Sequence, residues 1–313
     1  MDIAELKRRL VLPVVAAPLF LVSGPELLIA CCKAGIVGSI TAENARAVEE
    51  LAAWLDAIGR DLDRVAQQSG IAPAPWALNL VVRNDGSPRF AEQRALVERY
   101  RPPIVITSFG QPGDVAKRVH HYGGLVFHDV ATMRHVEKCI EAGVDGLILL
   151  TAGAGGHTGT ANPFAFVPQV RKIFDGAILL AGGIGDGRGI RAAEVLGADF
   201  AYMGTRFVAT RESRAGDAYK ALLISQQMAD VITTDRISGV PATFLRGSIA
   251  MAGLDPDALP PLSAPRTPAL PDDLKAWRDI WSAGHGVGLI DDLPEVATLV
   301  EGLRADYAHA RDA

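Results

Sequence analysis

The sequence predicts an α/β fold, a (β/α)8 TIM barrel carrying a C-terminal appendage of helices and loops. Three observations predict it. Short apolar runs alternate with helical segments at spacings of about 20–40 residues through the first two-thirds of the chain, the pattern of parallel strands joined by right-handed crossovers. Several runs end in glycine: Ile178-Leu179-Leu180 enters Ala181-Gly182-Gly183-Ile184-Gly185, and Phe200-Ala201-Tyr202-Met203 enters Gly204-Thr205. Ala34-Gly35-Ile36, Ala142-Gly143-Val144 and Leu196-Gly197-Ala198 each close a helix and lead into a strand, with glycine where a left-handed C-cap belongs. Eight such units fit a closed barrel better than an open nucleotide-binding sheet, which is the structural alternative.

The elements follow in order. Residues 11–17 read as a strand ended by Pro18, residues 24–33 as a helix, and residues 35–40 as a second strand. A long helix is expected from Thr41, whose hydroxyl can cap it, with Glu43 in the first turn. Strands at 76–82 and 104–107 flank a helix over 89–100. Helix 113–121, strand 125–130, helix 132–142 and strand 146–150 continue the alternation. Helix 162–174, strand 178–181, helix 187–196 and strand 200–203 complete it.

After Thr205 the pattern changes. A helix is expected over 212–229, irregular or short β structure over 233–246, a proline-rich connector over 254–271, and apolar helices around 274–281 and 293–307. Residues 1–210 with about 272–313 are therefore expected to form the barrel and its packed C-terminal helices. Residues 211–271 form an inserted appendage over the barrel mouth.

Composition narrows the function classes. The 313 residues are 49% hydrophobic, enough for a large core, and the net charge of −5 comes from interspersed acids and bases. With no basic cluster, a nucleic-acid surface is not expected. No apolar stretch reaches the roughly 18 residues of a membrane span, and the charged start is no secretory signal, so the cytoplasm is the default. Cys31, Cys32 and Cys139 sit in apolar helical segments and read as core residues. His120-His121 closes a helix, and no metal is inferred; HExxH, CxxC pairs and a Walker loop are absent from the sequence.

The chemistry concentrates in glycine loops. Gly146-Leu147-Ile148-Leu149-Leu150 enters Thr151-Ala152-Gly153-Ala154-Gly155-Gly156-His157-Thr158-Gly159, where His157 is the sole ionisable side chain. A surface role is the bland reading of this histidine. At the catalytic end of a buried strand, however, its imidazole can act as base or hydrogen-bond donor near neutral pH. The loops after the seventh and eighth strands, Gly182–Gly185 and Gly204-Thr205, offer backbone N–H groups and two helix N-termini to a phosphate. His128, mid-strand beside Asp129, is either a satisfied core histidine or a cofactor contact; strand alternation argues against a dyad. Asn79 is a polar residue inside an apolar strand and needs partners, structural or from a ligand, and Ser108 either lines the mouth or caps a turn.

Taken together, Ala16-Ala17-Pro18-Leu19, Asn79, the Gly-Gly-His-Thr-Gly loop, Ala181-Gly182-Gly183-Ile184 and Met203-Gly204-Thr205 stand in the order and spacing of the nitronate monooxygenases. The chain resembles that family over about residues 11–211 and again around 281–299. The resemblance implies a TIM-barrel flavoprotein holding FMN without a covalent bond. By motif, Ala17, Pro18 and Leu19 would run along the isoalloxazine and Asn79 would contact it. Ala152, Gly153, Gly156 and His128 would also border the cofactor. Gly182, Gly183, Gly204 and Thr205 would hold the phosphate. His157 would bind the nitronate or take the α-proton of a nitroalkane, with Phe20 and Ser108 on the substrate side. The implied reaction converts alkyl nitronates and O2 to a carbonyl compound and nitrite. The alternative is an NAD(P)H-dependent flavin oxidoreductase acting on quinones or enoyl thioesters, since relatives share barrel, flavin and loops. Two positions depart from the pattern: Leu19 replaces a common methionine, and His128 a common lysine. His285 stands where glutamine is frequent. Homo-oligomerisation stays open.

Overall fold

The apolar runs pair side by side in the computed structural model, which describes residues 1–82 and 86–312. Residues 83–85 and 313, the last of them the end of the expected C-terminal region, lie outside the description. The strands are β1 (Val14–Ala16), β2 (Gly38–Thr41), β3 (Trp76–Val81), β4 (Ile104–Ser108), β5 (Leu125–Val130) and β6 (Gly146–Leu150). Past a two-residue strand outside the barrel, β7 (Gly156–His157), come β8 (Ala177–Ala181) and β9 (Phe200–Met203). The parallel order β1-β9-β8-β6-β5-β4-β3-β2 closes between its two ends: Val15 bridges Val37, and the Ala16 N–H donates to the Val37 carbonyl at 2.9 Å.

α1 (Ile3–Arg8) precedes the first strand, and between the strands lie α2 (Pro25–Lys33), α3 (Val48–Ser69), α4 (Pro88–Tyr100), α5 (Gly113–His121), α6 (Met133–Glu141), α7 (Pro163–Arg171) and α8 (Gly187–Leu196). Leu6 of α1 packs with the barrel-interior residues. After β9 come α9 (Thr205–Val208), α10 (Asp217–Ser225), the antiparallel hairpin of β10 (Val231–Thr234) and β11 (Ala242–Leu245), α11 (Arg246–Met251) and α12 (Val296–Asp312). The long α12 packs on α8 and α2.

Period-two alternation sorts each barrel strand into two faces. Val15, Ala77, Ile106, Phe127, Ile148, Leu179 and Phe200 fill the interior, while Leu78, Val105, Val126, Leu147 and Ile178 pack outward under the helices. Toward the strand C-termini the inward set turns polar, with Asn79, Ser108, Asp129 and Tyr202. The lower barrel is therefore a packed core, and the upper barrel has the makings of a site.

Three expected elements differ. Thr41 does accept the Glu43 N–H, at 3.3 Å, but over a single 3-10 turn (Ala42–Asn44), and α3 begins only at Val48. Arg89 takes the Ala45 and Arg46 carbonyls, at 2.5 and 2.9 Å, which a continuous helix would have used internally. The helix expected over 212–229 shortens to α10. The helix expected around 274–281 does not form. Asp279 accepts the Lys275 N–H at 2.8 Å, Trp277 adopts a left-handed φ of 64°, and the indole packs 5.9 Å from the Phe244 ring, so tertiary burial overrides the local pattern. The three cysteines are free and buried.

Glycine is required where β2 meets α2: a Cβ at Gly38 would lie 2.3 Å from the Leu28 carbonyl oxygen. Gly38→Ala is expected to lower stability by roughly 1–3 kcal/mol, seen as a lower urea midpoint at unchanged slope. An unchanged midpoint would show that α2 shifts freely.

Candidate active site

A cavity of about 740 Å³ opens at the C-terminal ends of the barrel strands. Its first wall is the loop after β1. The Ala17 N–H donates to the Met203 carbonyl at 2.9 Å, tying this loop to the end of β9. Asn44 then clamps the turn from inside: its side-chain amide donates to the Leu19 and Ser23 carbonyls at 2.9 and 2.8 Å, and its carbonyl accepts the Leu21 N–H at 2.7 Å. Leu21 is thereby held at a left-handed φ of 63°. Ala17, Pro18, Leu19 and Phe20 all line the cavity.

The loop after β6 supplies the second wall. Gly153 and Gly156 have φ of 88° and 72°, values that a side chain would resist. β7 pairs with β11, His157 opposite Ala242, so that the appendage hairpin holds the histidine's backbone as the edge of a three-stranded sheet. Ser282 accepts the Gly156 N–H at 2.7 Å, Thr243 donates to the Ala154 carbonyl at 3.0 Å, and the His285 N–H donates to the Gly153 carbonyl at 2.9 Å. Above this backbone the His157 ring packs edge-on to Phe109 (5.2 Å) and Trp277 (5.0 Å). Neither ring nitrogen has a hydrogen-bond partner among the described residues, and burial pushes the imidazole below its ordinary pKa. His157 is therefore neutral near pH 7, with a free lone pair beside two aromatic rings.

The glycine loops form a third wall. A Cβ on Gly182 would lie 2.2 Å from Thr151 Oγ1, so this glycine permits β6 and β8 to approach. Gly183 differs: at a φ of 71°, its would-be Cβ meets nothing within 4 Å, and the residue faces open cavity. Gly204 and Thr205 border the same end, and Thr205 Oγ1 accepts the Gly284 N–H at 2.9 Å. Of the two helix N-termini expected to serve an anion, that of α8 is already occupied: Asp186 accepts the Gly189 N–H at 2.7 Å, and Gly187 abuts Asp306 and Tyr307 of α12. The Arg206 guanidinium, also at this end, is paired with Asp292.

The floor is polar but carries no paired charge. Asn79 donates to the Ile106 carbonyl at 3.2 Å and to Ser108 Oγ at 3.0 Å. His128 borders the cavity, yet its Nδ1 lies 2.8 Å from Thr107 Oγ1 on the outward face of β4, and burial lowers its pKa to about 4. Asp129, next along β5, points inward; burial raises its carboxyl to about 7, and its Oδ1 is buried without a partner. Of the residues singled out in the sequence, the cavity gathers Ala17, Pro18, Leu19, Phe20, Asn79, Ser108, His128, Gly153, Gly156, His157, Gly182, Gly183, Gly204 and Thr205. Ala152 is exposed and lies outside the lining; its N–H donates to the Ala161 carbonyl at 2.9 Å. Phe109, Asp129, Thr243 and Trp277 were not anticipated, and Ser282 entered only as the first residue of a late segment, Ser282–Gly286, that resembles the family's. Of the first four, only Asp129 left a signal, an acid at an inward strand position; the others depend on long-range packing. Among the described residues no cluster of His, Cys, Asp or Glu is placed to hold a metal, and no helix is long and apolar enough to cross a membrane.

The sequence signature described as nitronate monooxygenase matches residues 5–306. The chain belongs to the nitronate monooxygenase family. It is an enzyme, a flavin-dependent oxidoreductase. It is 29% identical to a nitronate monooxygenase of Pseudomonas aeruginosa, covering 93% of this chain and 96% of that one. It is 24% identical to a (3aS,4S,5R,7aS)-5-hydroxy-7a-methyl-1-oxo-octahydro-1H-indene-4-carboxyl-CoA dehydrogenase of Rhodococcus jostii, over 96% and 94% of the two chains. A solved nitroalkane oxidase from Streptomyces ansochromogenes shares the fold with a TM-score of 0.78 at 24% identity, covering 98% of this chain and 99% of that one.

The lining suits a flavin. The open space at Gly183 leaves backbone accessible from the cavity, and Asp129 in the lining brings a polar side chain to the floor.

Asp129 also makes stability depend on pH. Its folded pKa of about 7 exceeds the unfolded 3.8, so the folded state holds the extra proton between those values. Stability is expected to be highest below pH 3.8 as far as this group is concerned, and to fall by up to about 1.4 kcal/mol per pH unit until about pH 7. Asp129→Asn should flatten that fall in urea titrations of the flavin-free protein. An identical pH profile in the variant would assign the dependence elsewhere.

Proposed function

We propose that this protein binds FMN in the cavity and oxidises alkyl nitronates with O2 to a carbonyl compound and nitrite. One observation carries the reading: a neutral His157 imidazole, without a hydrogen-bond partner among the described residues, bordering the cavity between Phe109 and Trp277. Such a group can take a proton from the carbon next to a nitro group, or donate to a nitro oxygen after protonation. When bound, the flavin supplies the electron acceptor that a proton-transfer residue cannot.

In this reading Gly182, Gly183, Gly204 and Thr205 hold the phosphate through backbone and hydroxyl groups, because Arg206 is engaged by Asp292. Ala17, Pro18 and Leu19, fixed by Asn44, form a rigid apolar edge along the ring, and Asn79 offers its amide from the floor. Phe20, Phe109 and Trp277 exclude water around the substrate, with Ser108 beneath. Residues 211–271 cover the mouth and, through β11, set the height of His157.

A nitroalkane requires proton removal, whereas a preformed nitronate has already lost that proton. His157→Ala is therefore expected to lower kcat/KM for nitroalkanes by about 10²-fold or more, and for nitronates by less. Wild-type kcat/KM with nitroalkanes should rise with pH through a value below 6.5 and then level off. Normal flavin content without nitronate turnover would sink the proposal. Gly183→Asn tests the cradle separately, since asparagine tolerates a positive φ but fills the open space. The purified variant should fold and lose its yellow colour; stoichiometric flavin would show that the phosphate lies elsewhere.

The second reading, an NAD(P)H-dependent flavin oxidoreductase acting on quinones or enoyl thioesters, draws support from the near full-length similarity to a CoA-ester dehydrogenase. Anaerobic mixing separates the two. Rapid bleaching of the flavin by NADH or NADPH favours the reductase, and persistent colour favours the monooxygenase.

A further inference from the structure

The barrel interior holds one acid that the proposed reaction does not use. Leu125 and Phe127 precede Asp129 on the inward face of β5, so alternation aims the Asp129 carboxyl into the barrel, where it lines the cavity. Neither of its oxygens bonds to a described residue, and Oδ1 is sealed from solvent. The adjacent Ser108 hydroxyl already accepts from Asn79.

The surrounding groups supply no counter-charge. Tyr202 of β9 faces it across the interior, and Cys139 of α6 lies behind it; burial pushes both further above their ordinary values, which already exceed neutral pH, so both stay uncharged. His128 beside it is turned to Thr107, and His135 and Lys138 stand on α6 without an ion pair to it. A buried carboxyl without partner or cation is costly, and its neutral form is the less costly one. That form has a hydroxyl to donate and a carbonyl to accept, and no described residue meets either.

We propose that Asp129 is a ligand-binding acid: its protonated carboxyl donates a hydrogen bond to a ring carbonyl or imine nitrogen of the flat heteroaromatic system that fills the cavity. This assignment rests on the flavin reading above. With Oδ1 sealed off, the other oxygen is the one open to the cavity, and as the hydroxyl of the neutral acid it has a proton to donate to a single ring acceptor. Ionisation removes the donor and sets a negative charge against that acceptor, so ligand binding and proton binding reinforce each other.

The test is a fluorescence titration of the full chain, freed of bound flavin, with FMN and with riboflavin between about pH 5.5 and about pH 8.5. Both dissociation constants should rise above neutrality, approaching about tenfold per pH unit. Riboflavin has no phosphate, so a slope common to both ligands cannot come from phosphate ionisation. Asp129→Asn keeps a neutral donor and should bind both flavins with no pH slope. Asp129→Leu should bind both at least about tenfold more weakly at the acid end, again without slope. A slope with FMN alone, no slope with either ligand, or undiminished binding by Asp129→Leu would each overturn the assignment while leaving the flavin reading intact. Failure of the wild type to bind either flavin at any pH would overturn that reading and this assignment with it.

Discussion

The site depends on holding a glycine-rich loop still. Residues 152–159 leave β6 with glycines that give the backbone little stiffness of its own, and the barrel sheet offers them no neighbour. Rigidity comes instead from pairing with β11 and from bonds to Ser282, Thr243 and the His285 amide. Each bond is worth only about 1 kcal/mol. Together they confine the loop to one geometry, and the same segment of chain reaches Thr205 through Gly284. The C-terminal stretch 282–285 thus couples the histidine loop to the glycine cradle.

Electrostatics follow from that geometry. Buried His128 and partly buried His157 are both shifted downward by desolvation, and Asp129 is shifted upward. All three favour their uncharged forms, and the ionic side chains of the same lining, Glu43, Lys138, Arg206 and Arg266, make no ion pair with any of them among the described residues. A proton moved to or from a substrate there is not competing with a fixed counter-ion, and the cost of creating charge falls on whatever occupies the cavity. The buried Arg206 does not change this balance, because Asp292 neutralises it at the far wall.

Much of the barrel was legible because strand and helix periods, glycine caps and loop glycines are local signals. The barrel strands β3, β4, β5, β6, β8 and β9 fall within a residue or two of the apolar runs that predicted them, whereas β7 lies in what the sequence read as a loop. The loops carrying His157 and Gly183 were legible for the same reason. What local pattern could not reveal was competition. Arg89 takes the carbonyls that a helix from Thr41 needed, and the burial of Trp277 turns an amphipathic segment into an irregular one. Asp129 sat in plain view beside His128, but only the barrel interior shows that no partner awaits it. Ser282 and Thr243 are ordinary polar residues, more than 80 positions from the backbone they hold, and no spacing rule connects them.

The stretch from β10 to Trp277 therefore does more than line the cavity. β11 fixes the His157 backbone, while Trp277, from the following irregular segment, packs on the His157 ring and reaches Phe20 across the opening at 6.3 Å. Backbone position and ring orientation are thus set by the part of the chain that also shapes the entrance. A substitution that widens the entrance by trimming Trp277 removes one of the two aromatic faces holding the imidazole, so substrate access and base alignment cannot be altered independently. The barrel below, closed between β1 and β2 and packed to its axis, is insulated from such changes. Divergence in substrate among proteins of this build is then expected to reside in the appendage and in the loops it touches, with the barrel and its glycine cradle left as they are.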